Sequence, residues 1–257
     1  GIVQNGLVLN LDAGVDASYN NGASWLDLSP DKRSASFSNG PVFDRDHGGF
    51  IYYDGSDDVS SLGDSSDELL LNTTGSACCW INFPSIPQGG TSHIISKRGH
   101  SNANSSRIWY LSGYGQGSGG SAPRVYSNGV YTSNSTIVYN TWQLLCSTWT
   151  GGNGGTTSIY INGSLSNSGT SSIGSQSQTG QAVDIGRYGY SFGAKTLFFI
   201  KILLIASYIK RFLNFSFFDR TTIEERPLLF FLKNSLNDAS PFILFKFFIK
   251  KVKNLSL

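Results

Sequence analysis

Short β-type runs of apolar residues recur between polar, glycine-bearing loops through residues 6–187, and the first of them alternates apolar and polar positions with a period of two. In Gly6–Asp12, the side chains of Leu7, Leu9 and Leu11 fall on one face, which is the pattern of a half-buried strand. Further β-type runs are 36–37, 50–53, 59–62, 76–83, 93–96, 107–112, 124–126, 136–139 and 182–187. Turns rich in Gly, Asn, Ser and Asp separate these runs, and no helical periodicity interrupts them. The pattern therefore predicts an antiparallel β fold.

The clearest single element is a hairpin in residues 142–163. Trp142, Leu144 and Cys146 fall on one face of its first strand, and residues 157–161 form a second β-type run. The intervening Gly-Gly-Asn-Gly-Gly cannot hold a helix, and Asn162-Gly163 predicts a further tight turn. The chain is thus predicted to be all-β, a two-sheet antiparallel β-sandwich or jelly roll. The residues expected to be largely buried are Leu7, Leu9, Leu11, Trp80, Trp142 and Ile161.

Composition changes abruptly near Ala194 and divides the chain into a predicted sandwich, 1–194, and an atypical tail, 195–257. All 30 glycines lie in the first part, and 12 of the 17 phenylalanines lie in the tail. The net charge of +2 is the sum of an acidic first part and a basic tail, so it does not indicate a nucleic-acid partner. No apolar run reaches the roughly 18 residues of a bilayer span, so no transmembrane segment is predicted.

The tail contains Phe, Ile, Leu, Lys and Asn, the residues that AT-rich DNA yields when it is read in a wrong frame. One hypothesis is therefore that the genuine sequence ends near 192–195 and that the remainder is out of frame. Residues 196–205 have enough β-branched residues to replace a missing closing strand. Residues 206–257 are expected to pack poorly, as loose helix or disorder. Because the chain starts at Gly1 and contains no methionine, its true N-terminus is open.

The three cysteines do not form the spacing of a disulfide framework. Cys78 and Cys79 are adjacent on a predicted strand, so they are expected to face opposite sides of a sheet. They therefore cannot easily serve one bridge or one metal. Buried free thiols are the expected state of Cys78, Cys79 and Cys146.

Several segments, taken in order, resemble the laminin G-like form of the concanavalin A-like lectin/glucanase domains. The resemblance covers about residues 6–190 and rests on GLVLNLDAG (6–14), SWLDLS (24–29), NGP (39–41), YDGSDD (53–58), WI (80–81), YNTW (139–142), YING (160–163) and DIGR (184–187). It implies a jelly-roll sandwich of the kind found in phage, viral and bacterial surface proteins. The same fold hosts sugar binders, adhesion modules and glycosidases, so the resemblance alone leaves the function open.

No catalytic residues are predicted, and the chain is expected not to be an enzyme. Most glycosidases need two carboxyl groups, but residues 1–194 contain only one glutamate, Glu68, and no E-x-D-x-E-like motif. The segment 189–193 matches the G-x-S-x-G nucleophile elbow, but all three histidines precede it. A turn between strands explains that segment, and a glycosidase is the least favoured of the functions considered.

Two sets of residues are candidates for binding. Asp57 and Asp58, with Asp54 beside them, offer the hard oxygen ligands that calcium takes, and the resemblance implies a calcium site at the rim of the fold. The alternative is that these aspartates only form a turn. Five tyrosines at predicted strand ends or in glycine-rich loops are candidates to stack on a sugar: Tyr110, Tyr114, Tyr126, Tyr188 and Tyr190.

Two classes of function remain after this reasoning. The first is a non-catalytic carbohydrate-recognition or adhesion module of a virion or cell-surface protein, with a glycan or host-surface polysaccharide as its partner. The second is a purely structural sandwich that packs against sister domains of a larger surface assembly. Both imply an extracellular or virion-surface location.

Overall fold

The computed structural model describes the chain over a defined set of residues. These are 6–63, 74–84, 92–98, 107–114, 122–127, 130–132, 136–150, 155–170, 182–187, 197–206, 214–215, 228–233 and 244–247. At 92, 98, 107–108, 114, 126–127, 130–132 and all positions from 197 onward, the description covers the backbone and the strand register.

Strands form nearly all of the regular structure in these residues. They are β1 Leu7–Asp12, β2 Ser24–Leu26, β3 Ser34–Ser38, β4 Val42–Asp44, β5 Phe50–Asp54, β6 Val59–Ser61, β7 Thr74–Asn82, β8 Ser92–Arg98, β9 Arg107–Tyr114, β10 Arg124–Ser127, β11 Val130–Thr132, β12 Gln143–Thr150, β13 Thr156–Ile161, β14 Ser164–Thr170, β15 Val183–Ile185, β16 Leu197–Ala206, β17 Asn214–Phe215, β18 Leu228–Lys233 and β19 Leu244–Phe247. A single 3₁₀ turn, Asp46–Gly48, is the only helical element among them. No helix in the described residues is long and apolar enough to cross a membrane.

Two eight-stranded sheets form the sandwich. Sheet A has the order β14-β13-β12-β7-β16-β5-β4, with β1 also paired to β16, and sheet B has the order β11-β10-β9-β8-β15-β6-β3-β2. Strands β17, β18 and β19 form a separate small sheet. The buried cluster between sheets A and B includes Leu9, Trp25, Ile51, Trp109 and Trp149. The predicted two-sheet antiparallel sandwich is therefore confirmed.

The predicted hairpin is also confirmed. Strands β12 and β13 pair antiparallel, with Leu145 opposite Ile161. Asn162 and Gly163 both have positive φ, 51° and 80°, as a two-residue hairpin turn requires. The Asn162 side chain accepts a hydrogen bond from the Leu144 backbone N–H at 2.9 Å, so the turn is tied to the start of β12.

The core prediction holds for β1 and only in part elsewhere. Leu7, Leu9 and Leu11 are buried, because they face the second sheet. Trp80, by contrast, is half-buried and lies on the outer face of sheet A. The remaining two, Trp142 and Ile161, are also half-buried. A period of two identifies two faces of a strand but cannot say which one meets the other sheet.

Residues 136–139, predicted as a strand, are irregular. Ile137 is nevertheless buried. The backbone N–H of Val138 donates to the side-chain oxygen of Gln143 at 2.7 Å. A side chain thus satisfies the backbone where a neighbouring strand would do so in a ladder.

Strand β16 lies inside sheet A, in the place that residues 196–205 were expected to be able to fill, while the domain boundary at 194 stays a prediction. Its first half pairs with β5, its second half pairs with β1, and β7 runs along its other side. The sandwich therefore continues to Ala206. In the rest of the tail, the described segments 214–215, 228–233 and 244–247 are strands rather than helix; other tail residues lie outside the description.

The structure also corrects the expectation of three free thiols. Cys78 and Cys146 face each other across β7 and β12, with Cα atoms 4.1 Å apart, and they form a disulfide. Cys79 is a free, buried thiol on the opposite, core-facing side of β7. The prediction that Cys78 and Cys79 face opposite sides is confirmed. Burial raises the pKa of the Cys79 thiol and so keeps it protonated and unreactive.

Candidate functional site

A continuous row of polar residues crosses the outer face of sheet B. The strand registers place each of these residues directly opposite the next one on the neighbouring strand. In order, they are Tyr126 (β10), Tyr110 (β9), Ser96 (β8), Asp184 (β15), Ser61 (β6), Ser36 (β3) and Ser24 (β2). We call these seven residues the polar row. Seven strands at a spacing of about 4.8 Å give it a length of about 29 Å. The row arises because each of these strands turns its apolar residues toward the core.

The middle of the polar row is buried and its far end is accessible. Tyr110, Ser96 and Asp184 are 5%, 1% and 2% exposed, whereas Ser61 is half-buried and Ser36 is exposed. A buried polar residue needs a hydrogen-bond partner, because an unmet donor or acceptor costs about 1–3 kcal/mol. The partners of Asp184 and Ser96 are therefore the informative feature of this site.

Arg187 supplies one side of that network. Its Nε and Nη2 atoms both donate to Oδ2 of Asp184, at 3.2 and 2.9 Å. The Ser96 hydroxyl donates to the Arg187 backbone carbonyl at 3.0 Å. The guanidinium of Arg187, two residues after the end of β15, is thus held against the carboxylate of Asp184.

The second carboxylate oxygen of Asp184 has no hydrogen-bond partner among the described residues. Oδ1 is fully buried, although Oδ2 accepts two bonds from Arg187. A half-satisfied buried carboxylate is expensive for a domain to retain.

A shorter row runs beside the polar row on the same face. Arg124 of β10 lies opposite Ser112 of β9, which lies opposite His93 of β8. The His93 ring meets the Tyr110 ring edge to face, with centroids 4.5 Å apart. This contact connects the two rows.

The five predicted tyrosines have different outcomes. Tyr110 lies in the middle of β9 with its ring buried against His93, so the expectation of an exposed, sugar-stacking ring is wrong for this residue. Its neighbours are strands on both sides rather than a loop. Tyr114 and Tyr126 lie on β9 and β10, where the description covers the backbone. Tyr188 and Tyr190 lie outside the described residues.

The three aspartates lie together at the turn that joins β5 of sheet A to β6 of sheet B. Carboxylate oxygens of Asp54, Asp57 and Asp58 all lie within 4.8 Å of one another. Two ligands at 2.3–2.6 Å from one calcium ion are at most about 5 Å apart. The three side chains therefore fit a single calcium ion, which would offset two of their three negative charges and hold the turn closed.

The same aspartates also stabilise the turn directly. Oδ2 of Asp58 accepts the Asp54 backbone N–H at 2.8 Å, and Oδ1 of Asp54 accepts the Ser56 N–H at 2.7 Å. Burial raises the pKa of Asp58, the Asp54 N–H lowers it, and the charges of Asp54 and Asp57 raise it further. Both the turn and the calcium interpretation are compatible with this geometry, and calcium at Asp57 and Asp58 stays a prediction.

Sequence reasoning missed the residues at the centre of the site. Asp184 stands between Val183 and Ile185 on a three-residue strand, and it belongs with Arg187 to the DIGR segment that carries the family resemblance, but neither signal marked it as a site residue. Nothing in the sequence aligns Asp184 with Ser96 and Tyr110, because that neighbourhood depends on the register of β8, β9 and β15.

A family model described as the concanavalin A-like lectin/glucanases superfamily (Laminin_G_3) matches residues 54–198 of the chain. The chain belongs to this family. No curated protein matches the chain by sequence. The matched segment begins at Asp54 and ends in β16, and it contains the polar row from Tyr126 to Ser61, whereas Ser36 and Ser24 precede it.

Solved structures share this fold at low sequence identity. Trypanosoma rangeli sialidase in complex with sialic acid is 13% identical with a TM-score of 0.59, over 80% of this chain and 31% of the sialidase. The receptor binding domain of botulinum neurotoxin C/D mosaic serotype is 14% identical with a TM-score of 0.58, over 80% and 48%. The chain therefore spans about a third to a half of these proteins, and the likeness concerns the fold.

Proposed function

We propose that this lectin-like domain is a non-catalytic carbohydrate-recognition or adhesion module of a cell-surface or virion protein. The observation that supports it best is the line of hydroxyl groups at the accessible end of the polar row, Ser61, Ser36 and Ser24. Sugars present several hydroxyl groups, and serine side chains can exchange hydrogen bonds with them. These three strands span about 10 Å, a length that suits one or two sugar rings.

The composition of the row supports binding without hydrolysis. Hydrolysis by the usual mechanism needs two carboxyl groups about 5–10 Å apart. Within the described part of the polar row, Asp184 is the single carboxylate, and Arg187 holds one of its oxygens. We therefore assign Asp184 a positioning role: it holds Arg187 beneath the row.

The extracellular or virion-surface location is part of the same proposal. The Cys78–Cys146 disulfide supports it, because disulfides persist mainly in oxidising compartments. The likeness to a toxin's receptor binding domain supports a role in adhesion by analogy of fold.

Glycan-array screening followed by titration calorimetry tests the proposal. Ser36→Ala removes a hydroxyl group from the accessible end of the row, so binding of the best array glycan should weaken about fivefold. Ser164→Ala is the matched control, because Ser164 is exposed and lies on β14 of sheet A. It should bind as the unaltered chain does.

Two outcomes would contradict the proposal. If the folded chain bound no glycan on the array, the alternative of a purely structural module packing against sister domains would be favoured. Release of reducing ends from the bound glycan would instead show that the domain is an enzyme.

A further inference from the structure

Three aromatic rings meet on the outer face of sheet A, near its edge strand β4. The rings of Phe50 and Trp142 make an edge contact with centroids 5.5 Å apart, and the His47 ring lies 6.2 Å and 6.1 Å from them. Phe50 is buried, Trp142 is half-buried and His47 is exposed. The buried ring therefore supports two rings that reach solvent. We call these three residues the aromatic cluster.

An exposed carboxylate lies beside the aromatic cluster. Asp44 of β4 is directly opposite Phe50 of β5, so the two side chains share one face of the sheet, with Cβ atoms about 5 Å apart. Asp44 is exposed, and its Oδ1 accepts the Asp46 backbone N–H at 2.7 Å. A carboxylate can accept about four hydrogen bonds. Asp44 is thus oriented by one contact and retains acceptor capacity for a ligand.

The turn that carries His47 has a constrained backbone. His47, Gly48 and Gly49 have φ values of 52°, 80° and 89°, and residues in this region persist only where the surroundings hold them. Here the turn packs directly on the loop after β1, since a Cβ at Gly49 would lie 2.7 Å from Gly14 Cα. The His47 ring is therefore presented from a fixed backbone, which lowers the entropy lost when a ligand binds.

We propose that the aromatic cluster and Asp44 form a second sugar-binding site, which takes one pyranose ring. The accessible rings of Trp142 and His47 can pack against the C–H face of the sugar, and Asp44 can accept its hydroxyl groups. This inference rests on the proposed function and adds a site on sheet A, separate from the polar row on the outer face of sheet B.

The arrangement of the rings favours a sugar over an organic cation. A site for a cation places ring faces around the charge. In the aromatic cluster Phe50 is buried, so only two rings are accessible to a ligand. A sugar needs one stacking surface and nearby acceptors, which Trp142 and Asp44 supply. A hydroxyl group is preferred beside Asp44, because a sugar carboxylate there would meet a like charge.

Ligand-observed NMR with simple glycosides tests the inference. The probes are methyl β-galactopyranoside and methyl β-glucopyranoside at millimolar concentration, and tetramethylammonium represents the competing cation. At least one glycoside should bind, with saturation transferred mainly to the C–H protons of one face of its ring. Tetramethylammonium should not displace it.

Three variants locate the effect. Trp142→Ala removes the stacking surface and should reduce affinity for the glycoside about tenfold. Asp44→Asn keeps an oxygen for the Asp46 N–H but removes the charged acceptor, and it should reduce affinity about fivefold. Leu165→Ala is the matched control, because Leu165 is an exposed apolar residue on β14, at the opposite edge of sheet A. It should leave the affinity unchanged.

Failure of this inference differs from failure of the proposed function. If neither glycoside bound, or if Trp142→Ala and Asp44→Asn behaved as Leu165→Ala does, the second site would be excluded, while loss of array binding in Ser36→Ala would still support the polar row. If Trp142→Ala lowered the melting temperature, Asp44→Asn would decide, because Asp44 is exposed. Binding of tetramethylammonium without either glycoside would make this a cation site and overturn the inference. If no array glycan bound either, both proposals would fall together.

Discussion

The outer faces of the two sheets present different chemistry. On sheet A, the central residues are apolar: Leu144, Cys146 and Tyr160 are buried, with Cys78 and Trp80 packed against them. On sheet B, the residues at equivalent outward positions are serine, tyrosine and aspartate. Both sheets pack their inner faces on the same apolar core. The packing of the core therefore does not explain why their outward residues differ.

Under the proposed function, the centre of sheet A mainly stabilises the fold and sheet B presents the polar face that binds a glycan. Sheet A contains the disulfide and the closing strand β16, which are features that stabilise the fold. Unpartnered buried polar atoms, which cost stability, occur on both sheets: on Asp184 of sheet B, and on Ser147, Thr148 and Thr157 of sheet A. The difference between the sheets therefore lies in their outward residues and not in this cost.

The largest test removes β16 from sheet A. A chain ending at Lys195 lacks the strand that pairs with β7, β5 and β1, so we expect it to lose cooperative unfolding altogether. The cost should exceed the roughly 5–15 kcal/mol that stabilises a typical domain. The measurement is thermal unfolding followed by circular dichroism.

A chain ending at Ala206 is the control for that truncation. It keeps β16 and should melt cooperatively. If the chain ending at Lys195 also folded, then β16 would be dispensable and the hypothesis that the tail is out-of-frame sequence would gain support.

The disulfide provides the next largest effect. Replacing both Cys78 and Cys146 by serine removes a crosslink between residues 68 positions apart. On the chain-entropy model this lowers the free energy of unfolding by about 4 kcal/mol. Urea unfolding of the variant and of the unaltered chain gives the difference.

Reductant serves as the control in this experiment. Dithiothreitol should destabilise the unaltered chain and leave the double serine variant unchanged. Under denaturing, non-reducing conditions one thiol, from Cys79, should react with Ellman's reagent. Three reactive thiols would show that the bridge does not form.

The third test concerns the contact between sheet B and the core. Gly186 has φ +86°, and a Cβ there would lie 2.6 Å from Tyr53 Cδ1 and 2.9 Å from the Asp58 carbonyl oxygen. Gly186→Ala should therefore cost about 3 kcal/mol from backbone strain and overpacking together. It should also displace Arg187, which is bonded to Asp184, and weaken glycan binding.

Gly63→Ala separates strain from contact. Gly63 also has positive φ, +72°, but a Cβ there meets nothing within 4 Å. It should cost only the backbone part, roughly 1 kcal/mol. Equal losses in the two variants would mean that the Tyr53 contact is unimportant.

The smallest effect is expected at the turn between the sheets. The raised pKa of Asp58 means that the folded state holds its proton more tightly than the unfolded state does. Its contribution to stability is therefore lost as pH rises above the ordinary value of 3.8. Asp58→Asn should raise the melting temperature at pH 7 and have no such effect below pH 3.8.

Adding calcium to the same variants tests whether the three aspartates hold an ion. If the three aspartates hold an ion, calcium at 100 times its dissociation constant should stabilise the unaltered chain by about 2.7 kcal/mol. Asp58→Asn should remove most of that gain, while Asp16→Asn should keep it. No shift at millimolar calcium would assign these aspartates to the turn alone.

The sequence by itself determined the class of fold and its most local elements. Period-two alternation identifies strands because successive side chains point to opposite faces. Asn162-Gly163 specifies its turn because both residues must adopt positive φ. These features depend on neighbours in the chain, so they can be read without the rest of the molecule.

Only the tertiary structure decided which residues meet. The polar row joins Tyr110, Ser96 and Asp184 through strand registers that span 88 residues of sequence, and a shift by one residue would have turned each strand over. The disulfide likewise depends on Cys78 and Cys146 falling opposite each other in β7 and β12. The place of β16 was decided by the empty position between β7 and β5, because unpaired backbone groups there must find a strand. Long-range pairing of this kind leaves no pattern in the local sequence.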